Sequence, residues 1–279
     1  MPIIATAWLV TIGIARASDV DSEHLFGFTE GADIGKKGER EAETETIGRF
    51  GKSGGSYTAL TQNNQVKWLP VENLRVGANV AVAYFDIGGV SGLSDARLVA
   101  LQGVSFDARF HLMDRHSGPF GVTLIAEPRW GRIDATSGET STGYGGIVTL
   151  AIDRELIDDC LFGTFNVLYD SQAIRKPLPE NWIYDSKIGV SAAIAARVTP
   201  AFFIGGEMRH VRAYDGLGLD QYSGHAIFAG PTLYLQLAKG MAISAAWNMQ
   251  ISGSLAAGGP LDLTHFERQQ AKARFNVNF

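Results

Sequence analysis

Residues 263–279 of the chain read LTHFERQQAKARFNVNF and alternate between two kinds of side chain up to the last residue. Phe275, Val277 and Phe279 fall on one face of an extended segment, and asparagine and basic side chains fall on the other. A period of two is typical of a β-strand with one apolar and one polar face. The stretch therefore predicts a strand that ends the chain on an aromatic residue.

The same alternation recurs upstream. Residues 120–130, FGVTLIAEPRW, and residues 241–251, MAISAAWNMQI, each place apolar side chains at every second position. Counting weaker segments near residues 40–50 and 57–69, the chain offers about twelve candidate strands, each close to the nine to eleven residues that a tilted membrane strand requires.

The predicted connections differ between the two ends of the strands. Short turns such as 198–201 and 238–240 follow the even-numbered strands, and longer loops such as 87–96 and 174–182 follow the odd-numbered ones. An even strand number with short turns at one end and long loops at the other is typical of a bacterial outer-membrane barrel. We therefore predict an all-β fold, a transmembrane antiparallel up-and-down β-barrel of about 12 strands with both termini on the short-turn, periplasmic side.

A soluble barrel also alternates, so the pattern of two faces does not by itself choose between the two classes. Aromatic residues near the strand ends favour the membrane, because such barrels carry an aromatic girdle at each lipid interface. The predicted girdles are Trp68, Phe120, Phe162, Phe202 and Phe279 by the short turns, and Phe50, Tyr57, Tyr84, Trp130, Tyr144 and Tyr169 by the long loops.

The ending ARFNVNF, residues 273–279, resembles the C-terminal assembly signal of bacterial outer-membrane β-barrel proteins. The resemblance implies that the barrel-assembly machinery recognises the last strand through Phe275, Val277 and Phe279. It also implies that the protein resides among the lipids of the outer membrane of a Gram-negative bacterium.

Three regions follow from this reading. Residues 1–17 are predicted to be a signal peptide, because an apolar run ends at a small-x-small tripeptide, Ala15 to Ala17. Residues 18–38 are polar and punctuated by glycine, and are expected to form an N-terminal periplasmic segment or a small plug. Residues 39–279 are predicted to form the transmembrane barrel.

A closed barrel must join its first strand to its last. Glu41, Glu43 and Glu45 share one face of the first strand, and Arg268, Lys272 and Arg274 lie on the polar face of the last. Cross-strand pairs of opposite charge would stabilise this closing seam. The glutamates could equally form a solvated face.

Ten further polar-face residues are candidates to line a pore, since a charge that faces lipid is unfavourable. They are Lys67, Arg75, Asp107, Arg109, His111, Glu127, Arg129, Asp153, Glu207 and Arg209. Three strands carry an acid and a base two residues apart, as in Asp107 and Arg109. This mixed charge could act as a selectivity filter, or it could neutralise itself and fill the lumen.

Composition excludes several functions. The formal charge of −5 and the lack of a basic cluster argue against nucleic acid as a partner. One cysteine and six scattered histidines offer no metal-binding spacing, and no cofactor motif is found. Possible Ser and His pairs, Ser105 with His111 and Ser117 with His116, lack a framing motif.

We therefore expect a narrow passive channel for small polar or charged solutes, without enzymatic activity. Two alternatives remain open. The first is a structural or surface-interaction barrel with a filled lumen, and the second is a lipid-modifying outer-membrane hydrolase.

Overall fold

The computed structural model describes residue 20, residues 22–177 and residues 180–279, which contain twelve β-strands. In chain order the strands are β1 (Arg40–Phe50), β2 (Ser56–Val71), β3 (Leu74–Gly88), β4 (Ala96–Met113), β5 (Gly121–Ile133), β6 (Thr140–Ile157), β7 (Leu161–Pro177), β8 (Glu180–Thr199), β9 (Phe202–Asp215), β10 (Gln221–Ala238), β11 (Met241–Leu255) and β12 (Gln269–Asn278). The predicted signal peptide lies outside the described residues. Within them, no helix is long and apolar enough to cross a membrane.

The strands form one closed antiparallel barrel in which each strand pairs with its neighbours in the chain. β1 closes the sheet on β12, in a register that runs from Glu41 opposite Asn278 to Phe50 opposite Gln269. The amide of Phe279 then donates to the carbonyl of Arg40, 2.8 Å away, so the last residue is tied to the start of β1. Closure leaves no unpaired sheet edge. The predicted all-β, twelve-strand, up-and-down barrel is confirmed.

The two ends of the barrel differ as predicted, with two exceptions: the connection after β4, residues 114–120, is as long as the 89–95 loop, and the connection after β7 is short. Short turns such as 72–73 and 239–240 follow the even-numbered strands, and Gly240 takes a positive φ of 72° that suits glycine. Longer loops such as 89–95 and 256–268 follow most odd-numbered strands. The prediction of a long loop over residues 174–182 is wrong, because β7 and β8 stay paired as far as Pro177 opposite Glu180. Most of the residues predicted to form the loop are therefore part of the two strands.

The two faces of each strand meet different surroundings. On the outer face Leu124 of β5 is 37% exposed and Trp247 of β11 is 47% exposed, while on the inner face Glu207 of β9 is 5% exposed. Large apolar side chains are exposed around the whole outer wall, and most of the buried polar and charged side chains line the interior. An apolar exterior around a polar interior is the arrangement that a transmembrane barrel requires.

Two residues of the predicted aromatic girdles point the other way. Phe162 is 1% exposed and Tyr57 is 4% exposed, and both belong to clusters inside the barrel. Phe162 shares the inward face of β7 with Thr164 and Asn166, so its position in the alternation sets its direction. Trp68, Phe120 and Phe279 do lie exposed on the outside at the short-turn end.

Candidate functional site

The periplasmic half of the lumen contains residues 22–34, which we call the luminal segment. This segment has turns and bends but no strand, and most of its residues are buried. It reaches the barrel wall through four groups of contacts. Because β1 starts at the periplasmic end, the chain enters the lumen from that side.

The first group of contacts centres on Glu23, which is 2% exposed. Its carboxylate pairs with the guanidinium of Arg75 on β3, with Lys67 Nζ on β2 at 3.0 Å, and with Arg109 on β4 at 3.5 Å. Burial alone would raise the pKa of Glu23, but Arg75 and the neighbouring cations hold it well below its usual range. The segment therefore supplies a carboxylate to three basic side chains of the wall.

The inner face of β1 joins the same network. Lys67 Nζ lies 2.8 Å from a carboxylate oxygen of Glu41 and 2.8 Å from one of Glu43. Arg274 lies directly opposite Glu45 across the closing seam, and its Nη2 is 3.0 Å from the Glu45 carboxylate. Glu41 and Glu43 thus turn partly toward β2, while Glu45 binds across the closure.

The remaining seam residues divide between the network and the solvent. Lys272 Nζ lies 2.8 Å from Glu45, and Arg274 also lies 3.6 Å from Glu43. The prediction that Arg268 contributes to the seam is wrong. β12 begins at Gln269, which forms the last pair of the seam with Phe50, and Arg268 lies exposed beyond that pair. Its backbone donates to the Gly51 carbonyl in the adjoining loop.

Glu30 links the segment to the closing seam. Its carboxylate lies 3.4 Å from Arg109, 3.6 Å from Arg274 and 3.7 Å from Lys272. Burial would raise the pKa of Glu30, but Lys272, Arg274 and Arg109 outweigh it and lower the pKa to about 2. The backbone of Glu30 also exchanges hydrogen bonds with the Asn166 side chain on β7, at 2.7 and 2.9 Å.

The second group of contacts centres on the carboxylate of Glu207, which accepts hydrogen bonds from the backbone of the segment. Glu207 on β9 accepts from the amide of Phe28 at 2.8 Å, and from the amide and hydroxyl of Thr29 at 2.9 and 3.0 Å. Asn248 on β11 donates to the same carboxylate at 2.7 Å. The Arg209 guanidinium lies 4.1 Å from the centre of the Phe28 ring, within cation–π range.

The third group lies on the opposite wall. Asp153 on β6 accepts from the Ala32 amide at 3.0 Å and from the Ser22 hydroxyl, and it pairs with Arg115 at 3.1 Å. Thr123 on β5 donates to the Ala32 carbonyl. The segment is therefore tied to the wall at both of its ends.

The fourth group is apolar. Leu25 and Phe26 are each 1% exposed and belong to a cluster with inward side chains of β7 to β11. Within it, Phe162 and Tyr234 each pack edge-to-face on Phe203, with ring centroids 5.9 and 5.7 Å apart. Taken together, the four groups connect the luminal segment to side chains of all twelve strands.

The ten pore-lining candidates all lie on inner faces. Of the three acid and base pairs that are two residues apart on one strand, only one forms an ion pair among the described residues. Asp107 and Arg109 are 3.2 Å apart, whereas Arg129 binds Asp170 on β7 at 2.5 Å rather than Glu127. Glu207 accepts a hydrogen bond from the Phe28 amide, and Arg209 lies over the Phe28 ring. Residues two apart on one strand are about 7 Å apart, and cross-strand neighbours about 5 Å, so cross-strand partners are the nearer ones.

Sequence reasoning missed several of the contact residues. Arg115 follows β4 in a predicted periplasmic turn, yet it reaches Asp153 and the Val20 carbonyl at 2.5 Å. Asn166 and Asn248 occupy inward positions, so their place in the alternation was the available signal. The partners of Glu23 and Glu30 lie far along the chain, and no local pattern indicates them.

Above the luminal segment the lumen is not filled. A cavity of about 160 Å³ lies against the inner face of β2 to β7. Its polar lining includes Asn63, Asn79, Gln102, Arg129 and Gln172. Side-chain amides both donate and accept, so this wall offers hydrogen bonds of both kinds.

The last extracellular loop, residues 256–268, folds inward near the other end. Lys52 donates to the carbonyls of Thr264 and Phe266 at 3.0 and 3.2 Å and pairs with Glu267 at 3.7 Å. Burial lowers the pKa of Lys52, while Arg49 and Lys52 outweigh burial to lower the pKa of Glu267. This ion pair joins the loop to the connection between β1 and β2.

Among the described residues, the one candidate metal cluster already contains an ammonium group, and the predicted pair of Ser105 and His111 is not assembled. Glu23, His24, Glu41 and Glu43 bring possible ligand atoms within 4.8 Å of one another, but the ammonium of Lys67 already lies within 3.0 Å of all three carboxylates. His111 Nδ1 contacts the Ala32 carbonyl and the Thr123 hydroxyl, each at 3.0 Å. Ser105 is six residues from His111 along β4, about 20 Å away on an extended strand.

The fold and the lumen define a transmembrane β-barrel of the outer-membrane type, and its apolar outer wall places it among the lipids of the Gram-negative outer membrane. The chain belongs to a family of unknown function (DUF6662), whose model matches residues 18–279. No curated protein matches the chain in sequence.

Solved structures resemble the barrel at low sequence identity. An outer-membrane channel from Pseudomonas putida F1 is 10% identical over 89% of this chain and 98% of its own, with a TM-score of 0.60. The NanC porin is 12% identical over 85% and 98%, with a TM-score of 0.44. The translocator domain of the autotransporter NalP from Neisseria meningitidis is 13% identical over 89% and 90%, with a TM-score of 0.46. At these identities the channel from P. putida supports the fold alone.

Proposed function

We propose that the protein is a narrow passive channel for small polar solutes and not an enzyme. The observation that carries the proposal is the cavity of about 160 Å³ in the lumen, lined by amides and by Arg129. A barrel that served only as a structural element would gain stability by filling this space with side chains.

The lining indicates the kind of solute. Arg129 is paired with Asp170 at 2.5 Å, so the charge beside the cavity is largely balanced. The amides of Asn63, Asn79 and Gln102 suit a hydroxyl-rich or amide-bearing solute better than a bare ion. Ligand sites for drug-sized molecules measure roughly 300–1,000 Å³, so the solute is smaller than these.

The luminal segment is the barrier on the periplasmic side. It is held by hydrogen bonds, ion pairs and apolar packing, with no covalent bond to the wall among the described residues. Contacts of this kind open locally when enough of them are lost together. Passage through the proposed channel therefore requires the segment to shift.

A cysteine pair tests the role of the segment. A Cβ added at Gly121 would lie 3.2 Å from the Cβ of Ala32, slightly closer than the roughly 3.5–4.5 Å found in disulfides, and the carboxylate of Asp153 would have to rotate away from it. Ala32→Cys with Gly121→Cys, on a Cys160→Ser background, should therefore fix the segment to β5. Single-channel recording in planar bilayers should show discrete steps for the reduced protein and none for the oxidised one. Each single-cysteine variant serves as the control, and equal conductance in both redox states would contradict the barrier role.

A second candidate function is a barrel with a permanently filled lumen that acts through its surface. It is favoured by the contacts of the luminal segment with side chains of all twelve strands. Absence of any conductance from the wild-type protein, reduced or oxidised, together with absence of solute uptake into proteoliposomes, would favour this candidate over the channel. If the protein is a channel, the Arg129→Gln variant should change solute uptake, and the variant Arg97→Gln, at a residue that is 79% exposed, should not.

The C-terminal strand is also assigned a role in assembly. We infer that the barrel-assembly machinery recognises Phe275, Val277 and Phe279, and the exposed ring of Phe279, at 72%, supports access to it. Phe279→Ser should lower the amount of folded barrel in the outer membrane. A polar change at a position between these apolar residues, Asn278→Ser, should leave that amount unchanged.

A further inference from the structure

The outer wall carries one polar cluster that the proposed channel does not use. His210 and Arg212 on β9 and Tyr222 and His225 on β10 form it, and we call it the rim patch. The residues that follow Arg212 and His225 in sequence face inward: Ala213 is 4% exposed and Ala226 is fully buried. Met208, on the same face of β9 as His210 and Arg212, is 55% exposed. The rim patch therefore faces away from the lumen.

The four side chains contact one another. Arg212 is directly opposite His225 in the ladder, and the rings of His210 and His225 are 5.5 Å apart at 84°. The Tyr222 hydroxyl lies 2.6 Å from Nδ1 of His225, and the Arg212 guanidinium lies 5.5 Å from the centre of the Tyr222 ring. These contacts hold the imidazoles and the guanidinium in one group.

Charge balance separates the rim patch from other basic residues on the outer wall. Among the described residues no carboxylate lies within ion-pair distance of His210, Arg212 or His225. By contrast Arg97, 79% exposed at the same end of the barrel, has Asp86 at 4.0 Å. A guanidinium on a lipid-facing wall is unfavourable unless it lies near the interface or meets an anion.

The position along the strand indicates the source of that anion. Arg212 is three residues before Asp215, the extracellular end of β9, which is about 10 Å along an extended strand. β9 has 14 residues and is therefore taller than the apolar band of about 25 Å in such barrels, so its extracellular end reaches the headgroup region of the outer leaflet. When the Tyr222 hydroxyl donates to Nδ1 of His225, the ring proton is on Nε2, which can then donate to an anion. Arg212 presents a planar fork of donors that matches phosphate oxygens.

We propose that the rim patch binds the phosphate group of a glycolipid in the outer leaflet. Arg212 donates to the phosphate oxygens from one strand and His225 from the next. His210 adds a further donor, and the Tyr222 ring supports the guanidinium from below. The site lies on the wall that faces lipid, so the proposal is independent of any transport through the lumen.

A binding measurement on the full chain tests the proposal. Native mass spectrometry of the detergent-purified protein would be titrated with bisphosphorylated lipid A, with the same lipid after phosphatase treatment, and with inorganic phosphate. The wild type should bind the phosphorylated lipid at least tenfold more tightly than the dephosphorylated one. Arg212→Gln combined with His225→Gln should remove that preference, and the matched outer-wall variant Arg97→Gln should keep it.

Three results would overturn the assignment. The first is equal affinity of the wild type for the two lipid forms. The second is an unchanged preference in the double variant, provided that its heat-modified migration on gels shows a folded barrel. If inorganic phosphate competes at the same concentration as the lipid, the site recognises a free anion and the assignment to a glycolipid is wrong.

Discussion

The carboxylate of Glu207 provides the most direct measure of how firmly the luminal segment is held. It accepts hydrogen bonds from the Phe28 amide, the Thr29 amide and the Thr29 hydroxyl at 2.8 to 3.0 Å. Hydrogen bonds to charged groups contribute about 1.5–3 kcal/mol each. Because the three act on one turn and water can replace part of them, Glu207→Ala should lower the free energy of local opening by about 3–5 kcal/mol.

Hydrogen exchange of the purified barrel measures this change. Since 1.4 kcal/mol corresponds to a factor of ten, the amides of Phe28 and Thr29 should exchange about a hundredfold to a few thousandfold faster in Glu207→Ala. Glu127→Ala is the matched control, because Glu127 lies in the same lumen and makes no hydrogen bond to the segment among the described residues. A change below threefold in the first variant, or an equal change in both, would refute the assignment of Glu207 as an anchor.

Three further predictions concern the same segment. Phe26→Ala should weaken its apolar anchorage by about 3–5 kcal/mol, seen as faster exchange at Leu25 and loss of near-ultraviolet circular dichroism, whereas Phe165→Ala on the lipid face should have little effect on either. Lys67→Met should cost about 3–5 kcal/mol of stability against denaturant, because it leaves buried carboxylates without their shared cation, and an unchanged unfolding midpoint would contradict this. The pKa of Glu30 is lowered to about 2, so its ion pairs stabilise the segment above about pH 4.5, and this stability is lost as the pH falls toward 2. Hydrogen exchange, corrected for its intrinsic pH dependence, should show constant protection of the segment from pH 7 to 5 and declining protection below pH 5. Loss of protection already at pH 6 would point to another titrating group.

The fold could be predicted from the sequence because the bilayer imposes a simple rule. Each strand has one face in lipid and one in the lumen, so a period of two reports both the strand and its orientation. The girdle predictions that are wrong concern residues that lie near a strand end but whose place in the period of two points them inward. Phe162 and Tyr57 lie near strand ends, as girdle residues do, but they occupy inward positions. A shift of one residue changes the face completely.

The content of the lumen could not be predicted in the same way. The luminal segment has no regular period, and its partners are distant: the amide of Phe28 and its acceptor Glu207 are 179 residues apart. Such contacts depend on which strands the closed barrel brings to one depth. The row of glutamates on β1 is visible in the sequence. That Glu41 shares Lys67 with Glu23 cannot be predicted without the position of the luminal segment.

The closing seam and the luminal segment depend on the same charges, so neither is independent of the other. The wall alone brings together five basic side chains, Lys67, Arg75, Arg109, Lys272 and Arg274, and four carboxylates, those of Glu41, Glu43, Glu45 and Asp107. Among the described residues, the only carboxylate within ion-pair distance of Arg75 is that of Glu23, which the segment supplies. Glu30 likewise joins Arg109 of β4 to Arg274 of β12. A buried cation that loses its partner is strongly unfavourable, so withdrawal of the segment must either admit water to these side chains or loosen the seam beside them. The segment is thus an integral part of the barrel wall's charge balance, because a movement that withdraws Glu23 has to hydrate Arg75 or loosen the seam beside it.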